Sequence, residues 1–155
     1  MAIRKIVTKD DPILHVTCKP VEKFDAKLWE LLDDMAETLY KAQGVGLAAP
    51  QVGIRKRIAL IDTEETGLIE LINPVILKSS GKQRDIEGCL SCPDQWGYVT
   101  RPNKCIVKAQ NRNGEFYEMR LEGLACRGAC HEIDHLDGKL FLELVDEFVE
   151  VVEEE

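Results

Sequence analysis

The sequence predicts an α+β fold, and three observations carry that prediction. Residues 25–43 repeat apolar side chains at helical spacing, several β-branched runs separated by turn residues lie between 57 and 122, and residues 124–137 return to a helical pattern. Helix, strands and helix in that order, with short connections, argue against alternating βαβ units.

The first element is a helix with a readable start. Asp25 can cap it, and Leu28, Leu31, Leu32, Met35 and Leu39 recur through DAKLWELLDDMAETLYKAQ on one face. Gly44 falls where a helix commonly ends in a left-handed residue. The next stretch, GVGLAAPQVG, begins with the dinucleotide-binding spacing G-x-G-x-x-A. That motif needs a strand before it and a helix after it, whereas here a helix precedes and Pro50 disfavours a helix start at Ala49. No Gly-Lys-Ser/Thr follows, so a phosphate loop is excluded as well. The glycines instead let a backbone come close to something else.

Strands follow at RIALID and at residues 68–77, then at NKCIVKAQ and EFYEMRLE on either side of a hairpin turn at Asn111, Arg112, Asn113 and Gly114. In the last strand Tyr117, Met119 and Leu121 alternate with Glu118, Arg120 and Glu122, which predicts one buried face. EGCLSCPDQWG reads as a turn-rich stretch. The second helix should stop near Gly138. Beyond it, LFLELVDEFVEVVEEE sets Phe141, Leu144, Val145, Phe148 and Val152 on one helical face, predicting a short amphipathic C-terminal helix that frays into its final glutamates.

Residues 1–155 are expected to form a single domain, long enough to bury a core. Hydrophobic residues at 45% and charged residues at 31% suit a soluble protein, and the sequence shows neither a signal segment nor a membrane span. A cytoplasmic or organelle-matrix setting follows, in which six cysteines are poor disulfide candidates. The net charge of −8 is concentrated in the C-terminal segment, where residues 140–155 hold seven acids and no base. Direct nucleic-acid binding is not expected of such a tail.

The chemistry concentrates in CHEIDHLDG. His131 and His135 are four apart and share a helical face, and Glu132 can reach a water on a cation held by the two imidazoles. A metzincin protease would place a third histidine where Phe141 stands. His15 lies far upstream, suited to packing or the surface. Among the cysteines, Cys126 and Cys130 are rotated about 140° and 100° from His131. Cys18 has no companion motif, and Cys105 alternates with Val107 and Ala109 as a small core residue. Cys89 and Cys92 remain. Their C-x-x-C spacing leaves open a closed structural zinc site with two of Cys126, Cys130, His131 and His135, in a non-catalytic module. Leu124, Arg127 and Gly128 share the face of His131 and are candidates for the rim of a substrate pocket.

GVGLAAPQ, EGCLS and HEIDH, in this order and at these separations, resemble the three signature motifs of the peptide deformylases, with likeness from DPIL near the start to Gly138-Lys139-Leu140-Phe141. The resemblance implies antiparallel β-sheets packed around a central HExxH-bearing helix, with an N-terminal helix and a short C-terminal helix. It implies a hydrolase that removes the formyl group from the N-terminal formylmethionine of nascent polypeptides. One divalent metal ion is implied, usually Fe(2+), with Zn(2+), Ni(2+) or Co(2+) as substitutes, held by Cys89, His131 and His135. Glu132 would be general base and then acid, while Gln51 and the backbone amide of Leu90 would steady the oxyanion. Val45 and Gly46 would line the path of the substrate backbone. The chain departs from the pattern at Cys92, Arg127 and Cys130, where the family often has an aliphatic residue, an apolar residue and glutamine. Its acidic tail offers no basic docking helix, so any ribosome proximity would be transient.

Overall fold

The computed structural model describes residues 2–150. After an N-terminal segment and a 3-10 turn at Pro12–His15, helix α1 spans Ala26–Ala42. Strand β1 (Gly46–Ala48) leads into a 3-10 turn at Ala49–Val52, followed by β2 (Ile58–Thr63), β3 (Gly67–Ser80), β4 (Gln83–Cys89), β5 (Cys92–Arg101), β6 (Lys104–Gln110) and β7 (Phe116–Glu122). Helix α2 spans Leu124–Leu136, and a 3-10 turn at Phe141–Leu144 precedes β8 (Val145–Val149). All strand pairs are antiparallel, in one sheet ordered β1-β2-β3-β6-β7 and a second ordered β4-β5-β8. The α+β prediction with antiparallel sheets therefore holds.

The larger sheet lies between the two helices, which explains the continuous apolar run of β2. Ile58 and Leu60 face Leu28, Leu32, Met35 and Leu39 of α1 in one buried cluster. Ala59 and Ile61 face Ala125, Ala129, Ile133 and Leu136 of α2 in another. A strand covered on both faces has no polar side to alternate with. Asp25 accepts from the amide of Leu28 at 3.3 Å, as expected of the cap. The left-handed residue that ends α1 is Gln43, at φ 56°, and not Gly44. At the end of α2, Gly138 has φ 76°, and a side chain there would meet the backbone of His15 and Val16 at 2.8 Å. Among the described residues, no helix is long and apolar enough to cross a membrane.

Two regions differ from the sequence expectation. The stretch read as turn-rich is the tip of a hairpin: β4 and β5 pair as far as Glu87 and Gly97, the register shifts over Gly88 and residues 93–96, and Leu90 and Ser91 turn between the paired Cys89 and Cys92. Among the described residues, a single 3-10 turn and strand β8 stand where the C-terminal helix was expected. Of the described residues on the expected helical face, only Phe141 is buried, while Leu144 and Phe148 are about half exposed or more. A short isolated helix is marginal, whereas the open edge of β5 offers backbone partners, and β-branched Val145 and Val149 suit them. Gly97, paired with Phe148, leaves room for the Val145 side chain, and Asp146 pairs with Arg84 at 2.6 Å. Val152 and the final glutamates lie outside the described residues.

The N-terminal segment is tied down twice. Ala2 donates to Asp34 at 2.8 Å and Arg4 to Thr38 at 2.9 Å, both on α1. Further on, Val7 donates to the carbonyl of Gln51 and Lys9 to that of Ser91, each at 2.8 Å.

Candidate metal centre

Helix α2 presents His131 and His135 one turn apart, with ring centroids 5.0 Å apart and the rings edge to face. The hairpin tip brings the Cys89 sulfur to 3.3 Å from His135 Nε2. One donor atom from each of Cys89, His131 and His135 lies within 4.8 Å of the others. Cys92 is not in that group, and Cys126 and Cys130 gather elsewhere with Cys105. Among the described residues, the donors therefore do not close into the four-ligand site that the C-x-x-C spacing had left open.

Glu87 fixes the first imidazole. Its Oε1 accepts from His131 Nδ1 at 2.9 Å, which leaves Nε2 free as a ligand. The same carboxylate is gripped by Arg101, through Nε at 2.9 Å and Nη2 at 3.0 Å, and by Nη1 of Arg127. Arg101 also holds Asp134 of α2 at 2.6 Å. Burial opposes the charge on Glu87, but the bonds from His131 and Arg101 outweigh it and hold its pKa at about 2. His135 is pushed well below its usual value, first by burial and then by His131, and so stays neutral and able to ligate.

Glu132 lies beside the donors with its Oε1 buried and without a hydrogen-bond partner. Burial raises its pKa to about 7. A buried carboxylate oxygen with nothing to accept, next to two imidazoles and a thiol, is what a cation with a coordinated water would satisfy. The residues present thus fit a divalent metal.

The opposite wall comes from the glycine loop. Gly46 leaves space filled by Glu132, whose Cδ would lie 2.9 Å from any Cβ at that position. Gln51 is buried, and its Oε1 accepts from the amide of Ala48 at 2.9 Å while its Nε2 donates to Ser91 Oγ at 3.1 Å and reaches the Cys89 sulfur at 3.6 Å. A cavity of about 530 Å³ opens above these groups, lined by Val45, Ile86, Leu90, Trp96 and Leu124 among others. Leu124 stands at its rim, 56% exposed. Arg127 also borders the cavity, but its guanidinium turns to Glu87 and to the carbonyls of Val99 and Gln83. His15 is exposed, and its ring bonds the carbonyl of Lys9 at 2.6 Å.

A family model described as polypeptide deformylase matches residues 3–150. The chain belongs to the polypeptide deformylase family. The peptide deformylase of Caldicellulosiruptor bescii is 56% identical over 149 residues, covering 96% of this chain and 89% of that protein. That of Alkaliphilus metalliredigens is 52% identical over 145 residues, covering 94% and 98%. The crystal structure of peptide deformylase from Thermotoga maritima superposes with a TM-score of 0.90 at 41% identity, covering 93% and 98%. Deformylases are metal-dependent enzymes that remove N-formyl groups from nascent polypeptides.

Sequence reasoning had not singled out Glu87 and Arg101 within this deformylase site. Glu87 was within reach: it precedes Cys89 by two, and alternation along a strand would set both side chains on one face, although the register of β4 against β5 shifts between them. Arg101 and Ser91 carry no such local signal, because their roles depend on how the hairpin docks on α2.

Proposed function

We propose that this chain, acting as a single catalytic domain, hydrolyses the formyl amide of N-formylmethionyl nascent peptides with a divalent metal held by Cys89, His131 and His135. Ferrous iron is the proposed native ion, with zinc, nickel or cobalt as substitutes. Supporting the reading most directly is the unpartnered Glu132 oxygen beside three convergent donors. A cation bound there supplies Lewis acidity and lowers the pKa of water towards neutrality.

Each side chain then has a task. Glu132 takes the proton of the attacking water and delivers it to the departing amine, which could not leave as an anion. Burial, which raises this carboxyl above the ordinary range, suits it to both tasks. The Gln51 amide, already held by Ala48 and Ser91, donates to the developing oxyanion together with the backbone amide of Leu90. Val45 and Gly46 guide the peptide backbone, and the apolar wall with Leu124 at its rim receives the methionine side chain. Arg127 supports that wall through Glu87 and does not offer its charge to the substrate. The setting is the cytoplasm or an organelle matrix, with transient proximity to the ribosome and no basic docking tail.

Glu132→Gln tests the reading. It should retain metal and fold while formate release from a formyl-Met peptide falls by about 10²–10⁴-fold. Turnover close to that of the unaltered enzyme would remove Glu132 from the mechanism.

A further inference from the structure

Behind the histidine-bearing face, α2 carries a second group of donors. Cys126 and Cys130 are one turn apart, and both meet Cys105 on β6, so that all three sulfurs lie within 4.8 Å of one another. All three cysteines are free, and their exposures are 3% for Cys105, 0% for Cys126 and 6% for Cys130. The Cys126 thiol donates to the carbonyl of Pro102 at 3.3 Å, next to the strand end that bears Arg101. None of the donors of the Cys89 centre takes part.

We propose that Cys105, Cys126 and Cys130 form a second cation site, which takes one thiophilic monovalent ion of the copper(I) class in trigonal, all-sulfur coordination. Soft thiolates select soft ions, and the group contains no imidazole or carboxylate to favour a harder one. Three donors suit a d10 ion content with trigonal geometry, whereas a structural zinc site needs four. Sulfurs placed about 2.3 Å from a central ion stand roughly 4 Å apart, so the observed cluster needs little movement to close on one. Binding releases three thiol protons and leaves a complex of charge −2. The nearest guanidinium groups, those of Arg127 and Arg101, are already paired with Glu87 and Asp134, so that they offset this charge only in part. The bound ion would join β6 to the helix that carries the catalytic histidines.

The test titrates the metal-loaded enzyme with copper(I) under strict anaerobiosis, against a chromophoric copper(I) chelator. Expected are one copper withheld from the chelator per chain, a copper absorption edge fitted by three sulfurs alone, unchanged content of the catalytic metal and undiminished formate release. Cys105→Ala and Cys126→Ala should lose copper retention while keeping deformylation. Three outcomes overturn the proposal: no copper retained, copper retained equally by both variants, or copper gained only as the catalytic metal is lost. If either variant fails to fold, the absorption spectrum of the unaltered enzyme decides, because nitrogen in the copper shell places the ion at the Cys89 centre.

Discussion

Replacing Gly46 with alanine puts a methyl group into space that Glu132 occupies. The added carbon would lie 2.9 Å from Cδ and 3.0 Å from Cγ of the glutamate, and closer still to Oε2. Comfortable contact between carbon atoms begins at about 3.5 Å, so the carboxylate has to retreat by roughly 0.5–1 Å. It cannot swing into solvent cheaply, because only 4% of the residue is exposed. Gly46 does not have a positive φ, so alanine brings no backbone strain of its own. A displacement of about 1 Å in a catalytic group costs on the order of 10²-fold, close to 3 kcal/mol of barrier. The three atoms nearest the new methyl all belong to Glu132, so metal content should hold. The assay pairs formate release from a formyl-Met peptide with metal analysis of the same preparation. The expected result is kcat reduced about 100-fold at full metal occupancy. A Gly46→Ala enzyme within about threefold of the unaltered kcat would show that Glu132 does not need the place the glycine leaves for it.

Three further perturbations probe the frame around the site. Arg127→Met should lower unfolding free energy by about 1–3 kcal/mol, measured by denaturant titration, because the carbonyls of Val99 and Gln83 lose a buried donor; deformylation persists because Arg101 still holds Glu87, and a large rise in KM without loss of stability would contradict this. The Asp34 carboxyl is held below its ordinary 3.8, chiefly by the amide of Ala2, with burial opposing and Arg4 assisting. Its contribution is therefore complete above pH 3.8 and lost as pH falls through the lowered folded value, so amide exchange in residues 2–9 should quicken in acid, and an identical acid response in Asp34→Asn would refute the link. Cys92 sits directly opposite Cys89 across the two-residue turn, so peroxide can join the two thiols as a disulfide, yielding two waters and removing a proposed metal donor. Cys92→Ala should slow inactivation in peroxide where Cys130→Ala, whose thiol faces Cys105, does not; equal rates in the two variants would count against the pairing.

Elements whose burial follows a single period were legible in the sequence. Leu28, Leu31, Leu32, Met35 and Leu39 are all buried on α1, and Leu121 is buried with Tyr117 and Met119 half-covered on β7. The C-terminal segment misled because Phe141, Leu144, Val145 and Phe148 satisfy a helical spacing, while what decides its conformation is an unpaired strand edge distant in sequence. The hairpin of β4 and β5 was hidden by Gly88, Pro93 and Asp94, the last at φ 66°, which read locally as turn formers. In the site, one helix face was enough to place His131 and His135 together, with Glu132 beside them. The choice of Cys89 over Cys92 depended on how the hairpin tip docks on that helix, which spacing alone does not contain. Arg127 was correctly set on the His131 face, but its long side chain bends back to Glu87, a freedom that an angle on a helical projection cannot represent.

The two anchorages of the N-terminal segment have a mechanical consequence. One end is fastened to α1 through Asp34 and Thr38, while Val7 and Lys9 brace the backbone of Gln51 and Ser91. The opening residues thus work as a guy-line between α1 and the two loops that carry Gln51 and Leu90, the proposed oxyanion donors. Slack introduced at the first few positions, by trimming or by a fused leader, would be felt as a poorly directed Gln51 amide, while the grouping of Cys89, His131 and His135 stayed in place.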